Sequence, residues 1–137
     1  MGIVSEKVLR SRFPIVLGTY LILFFTTQDA QTADSVIFQG RASVIDGDTI
    51  AVGSRYVRLH GIDAPETDQV CLDARGERWT CGIAAREHLY SHIAGRAVTC
   101  TPHGEDRYGR TLATCSTGGE NLNAWMVREG WALAYVQ

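Results

Sequence analysis

Three short β-type segments follow one another closely in the middle of the chain. They run from Val36 to Ile45, from Thr49 to Val52 and from Tyr56 to His60, and Asp-Gly and Gly-Ser turn signals separate them. Connections this short leave no room for a crossover helix, so neighbouring strands must run antiparallel. The fold is therefore expected to begin as three antiparallel strands.

A helix is predicted next. Ala85, Leu89 and Ile93 recur at every fourth position, which places them on one face of a helix from Gly82 to Ala94. Gly95 follows directly and is a typical residue for ending a helix. The helix thus comes after the third predicted strand.

The last part of the chain predicts a hairpin and a second helix. Val98 to Cys100 and Leu112 to Cys115 are expected to pair, and Asn121 to Glu129 has a helical pattern with Asn121 as a good N-cap. Five strands with a helix after the third is the order of an oligonucleotide-binding-type (OB-type) barrel. We therefore predict an α+β, mainly β fold: a five-stranded OB-type barrel with two helices.

The N-terminal segment has the order of an export signal. Basic residues come before an apolar run from Phe13 to Phe25, and a polar stretch follows. The run is shorter than the about 20 residues that a membrane span needs. Residues 1–34 are predicted to be a signal peptide, with an uncleaved anchor as the alternative. Both place the domain formed by residues 35–137 outside the cytoplasm: secreted, periplasmic or held at the outer face of the inner membrane.

Composition narrows the functional classes. The formal net charge is -2, and the contents of hydrophobic and charged residues, 45% and 20%, are those of a small folded domain. A protein that coats nucleic acid through counterion release usually carries a clear excess of Lys and Arg. Any site for a polyanion must therefore be local.

The even number of cysteines predicts disulfides in an exported domain of this size. Three pairings are possible, and a zinc site is the alternative, although no CxxC pair is present. The residues concerned are Cys71, Cys81, Cys100 and Cys115.

The predicted hairpin favours one of these pairings. If it is centred between Arg107 and Tyr108, Cys100 and Cys115 lie directly opposite each other at a spacing that a disulfide can bridge. The other two cysteines would then staple the long polar loop from Asp63 to Thr80, which is longer than loops usually are in compact domains.

Acidic residues gather at two of the predicted strand ends. Asp46 and Asp48 lie at the turn after the first strand, and Asp63 follows the third strand. Carboxylates without a nearby His or Cys ligand favour a hard cation. Asp-Gly is also an ordinary turn sequence, so this motif taken alone favours a plain turn over a cation site.

The third strand and the hairpin tip add further reactive residue types. Arg58 alternates with apolar neighbours and so points to one face of the barrel, and Glu66 follows in a loop stiffened by Pro65. The sequence Asp-Arg-Tyr-Gly-Arg, ending at Arg110, lies at the hairpin tip. Phosphodiester cleavage needs a metal ion, a base that activates water, and cationic groups that stabilise the charge of the transition state.

The order and spacing of these motifs resemble the thermonuclease (staphylococcal nuclease) family over nearly the whole stretch from Gly40 to Tyr135. The matching positions are Asp46-Gly47-Asp48-Thr49, Arg58-Leu59-x-Gly61-Ile62-Asp63-Ala64-Pro65-Glu66-Thr67, Asp106-x-Tyr108-Gly109-Arg110 and Asn121-x-x-x-x-Met126-Val127-x-x-Gly130.

The resemblance implies a calcium-dependent nuclease that hydrolyses DNA and RNA and leaves 3'-phosphate ends. Asp48 and Asp63 would bind Ca²⁺ through their carboxylates, and Ala64, where the family often has Thr, would bind it through its backbone carbonyl. Ca²⁺ is expected ahead of Mg²⁺ or Mn²⁺. The implied partner is nucleic acid, with no obligate protein partner; the protein is expected to be a monomer that touches a membrane only through an uncleaved N-terminal segment.

The resemblance also implies roles around the cation. Glu66 would activate the attacking water, and Arg58 and Arg110 would bind the phosphate and stabilise the charge of the transition state. Tyr108 and Tyr135 would contact the nucleotide. The family usually continues into a C-terminal helix that this sequence lacks, so a non-catalytic nucleic-acid-binding domain is the alternative function.

Overall fold

The computed structural model describes residues 36–136. The predicted signal peptide or anchor, residues 1–34, lies outside these described residues. Among the residues from 36 to 136, no helix is both long enough and apolar enough to cross a membrane.

Five strands form a closed barrel. Antiparallel pairing joins the first strand to the second and fourth, the second to the third, and the fourth to the fifth; a parallel pairing of the third with the fifth closes the ring. The predicted five-stranded, mainly β barrel with two helices is confirmed. The strands are β1 (Phe38–Val44), β2 (Thr49–Val52), β3 (Arg55–Leu59), β4 (Ala97–Glu105) and β5 (Thr111–Thr117).

Two helices pack on this barrel. α1 (Cys81–Ile93) follows β3 and begins and ends one residue before the predicted bounds, and α2 (Leu122–Arg128) follows β5. The predicted N-cap is confirmed, because the side chain of Asn121 accepts a hydrogen bond from the backbone N–H of Ala124 at 3.0 Å. The face predicted for α1 is buried in the core: Ala85, Leu89 and Ile93.

Five two-residue strands complete the fold. The first and last of them pair antiparallel as a separate two-stranded sheet, and the second and third form a small hairpin inside the predicted polar loop. This loop is therefore folded back on itself rather than extended. The short strands are Ile62–Asp63, Cys71–Leu72, Arg78–Trp79, Glu120–Asn121 and Leu133–Ala134.

Both disulfides form as predicted, so the zinc alternative is wrong. Cys71 is bonded to Cys81 and Cys100 to Cys115, and the last two are directly opposite in the β4–β5 register. A β-bulge at His103 then shifts the register by one residue. The predicted hairpin centre is therefore correct at the cysteines and wrong at the tip. There the turn is centred on Tyr108, half a residue further along the chain than predicted.

The Cys100–Cys115 disulfide is expected to stabilise the barrel measurably. It closes a loop with a sequence separation of 15 residues, for which chain entropy predicts about 3 kcal/mol. Replacing both cysteines with alanine should lower the free energy of unfolding by about this amount, which urea denaturation would show as a lower midpoint. Removal of Cys71 and Cys81 is the matched comparison. An unchanged midpoint in the Cys100→Ala, Cys115→Ala variant would contradict this expectation.

Candidate active site

The carboxylate of Asp48 lies at the centre of the site and is almost completely buried, with 2% of the residue exposed. Its Oδ2 accepts a hydrogen bond from the backbone N–H of Ala64 at 2.8 Å and lies 2.9 Å from Nη1 of Arg58. Its Oδ1 accepts a hydrogen bond from the hydroxyl of Thr49 at 3.1 Å. The β1–β2 turn thus places a carboxylate directly against the loop that follows β3.

Burial raises the pKa of Asp48 to about 7, against the lowering effects of the Ala64 hydrogen bond and of Arg58. The neighbouring carboxylate of Asp46 raises it further. When Asp48 is ionised, its protein partners therefore compensate the buried negative charge only in part. An additional cation at this position would be electrostatically favourable.

Arg58 links the two acidic residues predicted to bind the metal. Its Nη2 lies 3.1 Å from Oδ1 of Asp63, while Nη1 contacts Asp48 and donates to the backbone carbonyl of Ile62 at 3.0 Å. The alternation of β3 explains this position, since Val57 and Leu59 on either side of Arg58 are fully buried in the barrel. The guanidinium therefore holds both carboxylates on one side of the site.

The donor set here fits a hard divalent cation. Two carboxylates, Asp48 and Asp63, face one guanidinium, and Ala64, whose backbone carbonyl is the third predicted donor, lies next to Asp63 and hydrogen-bonds Asp48. Oxygen donors of this type suit Ca²⁺, whose remaining positions water can fill. Between residues 36 and 136, no three His, Cys, Asp or Glu side chains form a ready-made metal cluster, so the fit depends on these two carboxylates and a carbonyl.

Arg110 is held in place by the turn that precedes it. Its Nε donates to Oδ2 of Asp106 at 2.7 Å, its backbone N–H donates to Oδ1 at 3.0 Å, and Nη1 donates to Thr49 at 3.3 Å. Burial alone would raise the pKa of Asp106, but the hydrogen bonds from Arg110 and Tyr108 outweigh it and lower that pKa. The carboxylate consequently remains charged, and holds Arg110, throughout the neutral range.

A cleft of about 790 Å³ lies beside these residues. Arg58 and Arg110 both line it, together with Tyr108 and Tyr135, so four of the residues predicted to meet substrate share one surface. The guanidinium of Arg110 lies 5.5 Å from the ring centre of Tyr108. The spacing of these residues along the chain gave no distance between them, and only the barrel brings them together.

Glu66 does not line this cleft. It is exposed on a turn in which its carbonyl accepts a hydrogen bond from the backbone N–H of Gln69 at 2.8 Å, and its own N–H donates to the Gln69 side chain at 3.3 Å. The predicted base therefore sits on a defined turn at the edge of the site rather than inside the cleft.

Two glycines position the site, a role that the motifs did not reveal. A Cβ on Gly47 would lie 2.7 Å from Cβ of Ala64, and a Cβ on Gly82 would lie 1.6 Å from the carbonyl oxygen of Glu66. Gly47 was predicted only as a turn residue, yet its backbone does not adopt a left-handed conformation. Glycine is needed at this position because there is no room for a side chain, and a turn motif cannot reveal such close packing.

Comparisons with known proteins show the family of this chain. The family model described as staphylococcal nuclease homologue matches residues 56–137. The succinoglycan biosynthesis protein ExoI of Rhizobium meliloti is 41% identical over 119 residues, covering 85% of this chain and 61% of that protein. An uncharacterized endonuclease of Escherichia coli O157:H7 is 39% identical over 123 residues, covering 85% and 72%.

A thermonuclease of Staphylococcus intermedius is 36% identical over 97 residues, which cover 66% of this chain and 55% of that protein. The chain thus spans between about half and three quarters of the length of these relatives. The matched region of the family model includes most of β3, the Glu66 turn, both helices and the hairpin that presents Arg110. The chain therefore belongs to the staphylococcal nuclease homologue family.

Proposed function

We propose that this domain is a calcium-dependent nuclease that hydrolyses phosphodiester bonds of DNA, RNA or both. The observation that carries the proposal is the position of Arg58. One guanidinium contacts the carboxylates of Asp48 and Asp63 and lines the same cleft as Arg110. A phosphate in that cleft would meet cations beside an acidic cation-binding pair, which is the combination that phosphodiester hydrolysis requires.

Asp48, Asp63 and the carbonyl of Ala64 are the residues that would hold Ca²⁺. When bound, the ion would supply positive charge next to the phosphate. The nearly complete burial of Asp48 supports this role, since a buried carboxylate without full compensation binds a cation more readily than a solvated one. The exposed side chain of Asp63 leaves this side of the site accessible from solvent.

Arg58 and Arg110 would bind the phosphate oxygens and stabilise the charge that develops in the transition state. The side chain of Arg110 is pre-organised for this by its contacts with Asp106 and Thr49, so little side-chain entropy remains to be lost on binding. Tyr108 and Tyr135, on the same cleft, would contact the sugar or base of the bound nucleotide.

Glu66 would accept the proton of the attacking water. The carboxylate is exposed and therefore free to approach a substrate, and its turn is anchored by Gln69 and by the start of α1. General base catalysis of this kind contributes about 10²–10⁴-fold to a rate. The position of Glu66 outside the cleft lining favours the alternative, binding without turnover, and makes Glu66→Gln the decisive variant.

Removal of calcium is expected to abolish cleavage. Oxidised protein should digest plasmid DNA or RNA in the presence of Ca²⁺ and lose this activity with EDTA, with little recovery in Mg²⁺ alone, because Mg²⁺ demands stricter geometry than a two-carboxylate, one-carbonyl set provides. Glu66→Gln should lower cleavage and leave binding of an uncleavable oligonucleotide unchanged. Cleavage that persists in EDTA, or that Glu66→Gln leaves undiminished, would remove the proposal; binding without cleavage in every condition would establish the alternative.

We also propose that the domain acts outside the cytoplasm, as a monomer. The two disulfides support an oxidising compartment, because cytosolic thiols are kept reduced. Fractionation of cells that express the full chain would test this location, and recovery of the protein in the cytosol would contradict it.

A further inference from the structure

A second, smaller groove adjoins Asp63 of the acidic pair and shares no lining residue with the arginine cleft. It has a volume of about 280 Å³ and is lined by Asp63 and Ala64 together with the Cys71–Cys81 disulfide and aromatic side chains. Asp63 and Ala64 are residues proposed to hold the cation, so the groove begins where the reaction would take place. None of the described residues that line this groove is Arg, Lys or His.

Trp79 and Trp131 form the aromatic part of this groove. Their rings meet edge to face with 6.5 Å between the ring centres, and the ring of Trp131 is also stacked on that of His88, with 3.9 Å between the centres. Trp131 is thereby fixed from behind, while 41% of Trp79 remains exposed to solvent. An indole held at this exposure offers a surface for a planar ring at little additional entropic cost.

The disulfide explains why Trp79 stays in this position. Cys71 is paired directly with Trp79 in the small hairpin, and its bond to Cys81 ties the hairpin to the first residue of α1. Gln69, which also lines the groove, hydrogen-bonds the turn of Glu66. The groove thus includes Asp63 of the acidic pair and, through Gln69, contacts the turn that carries the proposed base.

We propose that this groove, defined by Asp63, Gln69, Trp79 and Trp131, binds the nucleobase on the side of the scissile phosphate opposite to Tyr108 and Tyr135. The proposal rests on the proposed nuclease function. The lack of lining cations favours the uncharged part of a nucleotide over a phosphate, and the volume suits one planar ring system rather than a larger ligand. A polynucleotide crossing the acidic pair would then occupy the arginine cleft on one side and this groove on the other.

The segment that separates the two clefts supports such a path. Leu133 pairs with Asp63, and the backbone N–H of Tyr135 donates to the carbonyl of Gly61 at 2.8 Å. Leu133 lines the aromatic groove, whereas Tyr135 lines the arginine cleft. A strand of substrate that passes over this short sheet would therefore meet an aromatic side chain on each side.

Removal of one base from the substrate tests this subsite. Short oligonucleotides with a single cleavable phosphodiester would carry an abasic residue on one side of it or on the other. For the unaltered protein, the abasic residue on the groove side is expected to raise KM about tenfold, the loss typical of one base–aromatic stack. Trp79→Ala should raise KM by a similar factor for the intact substrate and cause no further change for this abasic substrate, with kcat preserved.

Trp79→Phe should retain most of the affinity because a ring remains, and Tyr90→Ala, which removes an exposed aromatic ring that lines neither cleft, is the matched control. Equal effects of Trp79→Ala on intact and abasic substrates, or no effect on either, would overturn the subsite while leaving Ca²⁺-dependent cleavage intact. If the unaltered protein cleaves nothing, the nuclease proposal fails instead.

Binding provides a readout that does not depend on turnover. Quenching of tryptophan fluorescence by an uncleavable oligonucleotide is expected to be lost or shifted about tenfold in Trp79→Ala and retained in Tyr90→Ala. Quenching by a neutral oligosaccharide and none by the oligonucleotide would overturn the assignment in favour of a carbohydrate site.

Discussion

Substitution of Gly82 by alanine is expected to lower kcat by about 100-fold or more, the size of effect that a displacement of about 1 Å can cause at a catalytic group. A Cβ at this position would lie 1.6 Å from the carbonyl oxygen of Glu66 and 2.6 Å from its carbonyl carbon. Both atoms belong to backbone, so no side-chain rotation relieves the contact. The turn that presents Glu66 must move away from α1.

A double-mutant cycle separates this positioning effect from simple loss of stability. If Gly82→Ala acts by displacing Glu66, Glu66→Gln should lower kcat much less in the Gly82→Ala background than in the unaltered protein, because the effects of coupled residues are not additive. Ile83→Ala, on the exposed side of the same helical turn, is the matched control. The melting temperature should fall as well, since overpacking usually costs about 1–3 kcal/mol. Fully additive effects of Gly82→Ala and Glu66→Gln on kcat would contradict the positioning role.

Arg110→Ala is expected to lower kcat by about 10²–10³-fold, which is typical for the loss of one group that stabilises charge in the transition state. The hydrogen bonds from the guanidinium of Arg110 to Asp106 and Thr49 fix it on the wall of the cleft before substrate arrives. Lysine at this position should restore little, because a single ammonium cannot reproduce the fork of contacts. The kinetic parameters kcat and KM, measured separately, check this expectation.

Arg107 supplies the control for Arg110. It lines the same cleft and its guanidinium lies 4.9 Å from the ring centre of Tyr108, on the other side of that residue in sequence. Arg107→Ala removes one positive charge from the cleft, so it should raise KM modestly and weaken the salt dependence of binding without lowering kcat. Equal losses of kcat in the two variants would show that net charge, rather than the position of Arg110, matters for the reaction.

Much of the fold followed from local pattern. The turn signals defined β1 to β3, the four-residue spacing of Ala85, Leu89 and Ile93 defined α1, and Asn121 marked the start of α2. These features depend on interactions between residues that are close in sequence, and such interactions can be read directly from it. The parallel pairing of β3 with β5 did not follow, because it joins residues more than fifty positions apart.

The hairpin shows where pattern and structure part. Cys100 and Cys115 lie opposite each other as predicted, because they are in the part of the hairpin before the bulge, where the predicted register was correct. The bulge at His103 depends on how β4 bends around the closing barrel, so the position of the tip was missed. The shift is small, yet it decides how Tyr108 and Arg110 are presented.

The sequence by itself determined the identity and order of the reactive groups, indicated the family through its motifs, and favoured one pairing of the cysteines. Only the tertiary structure decided that Arg58 joins the carboxylates of Asp48 and Asp63, that Gly47 and Gly82 are needed for space, and that an aromatic groove adjoins the acidic pair. The physical reason is closure of the barrel. Distances between groups on separate strands, and the room between packed backbones, come into being only when the chain packs against itself.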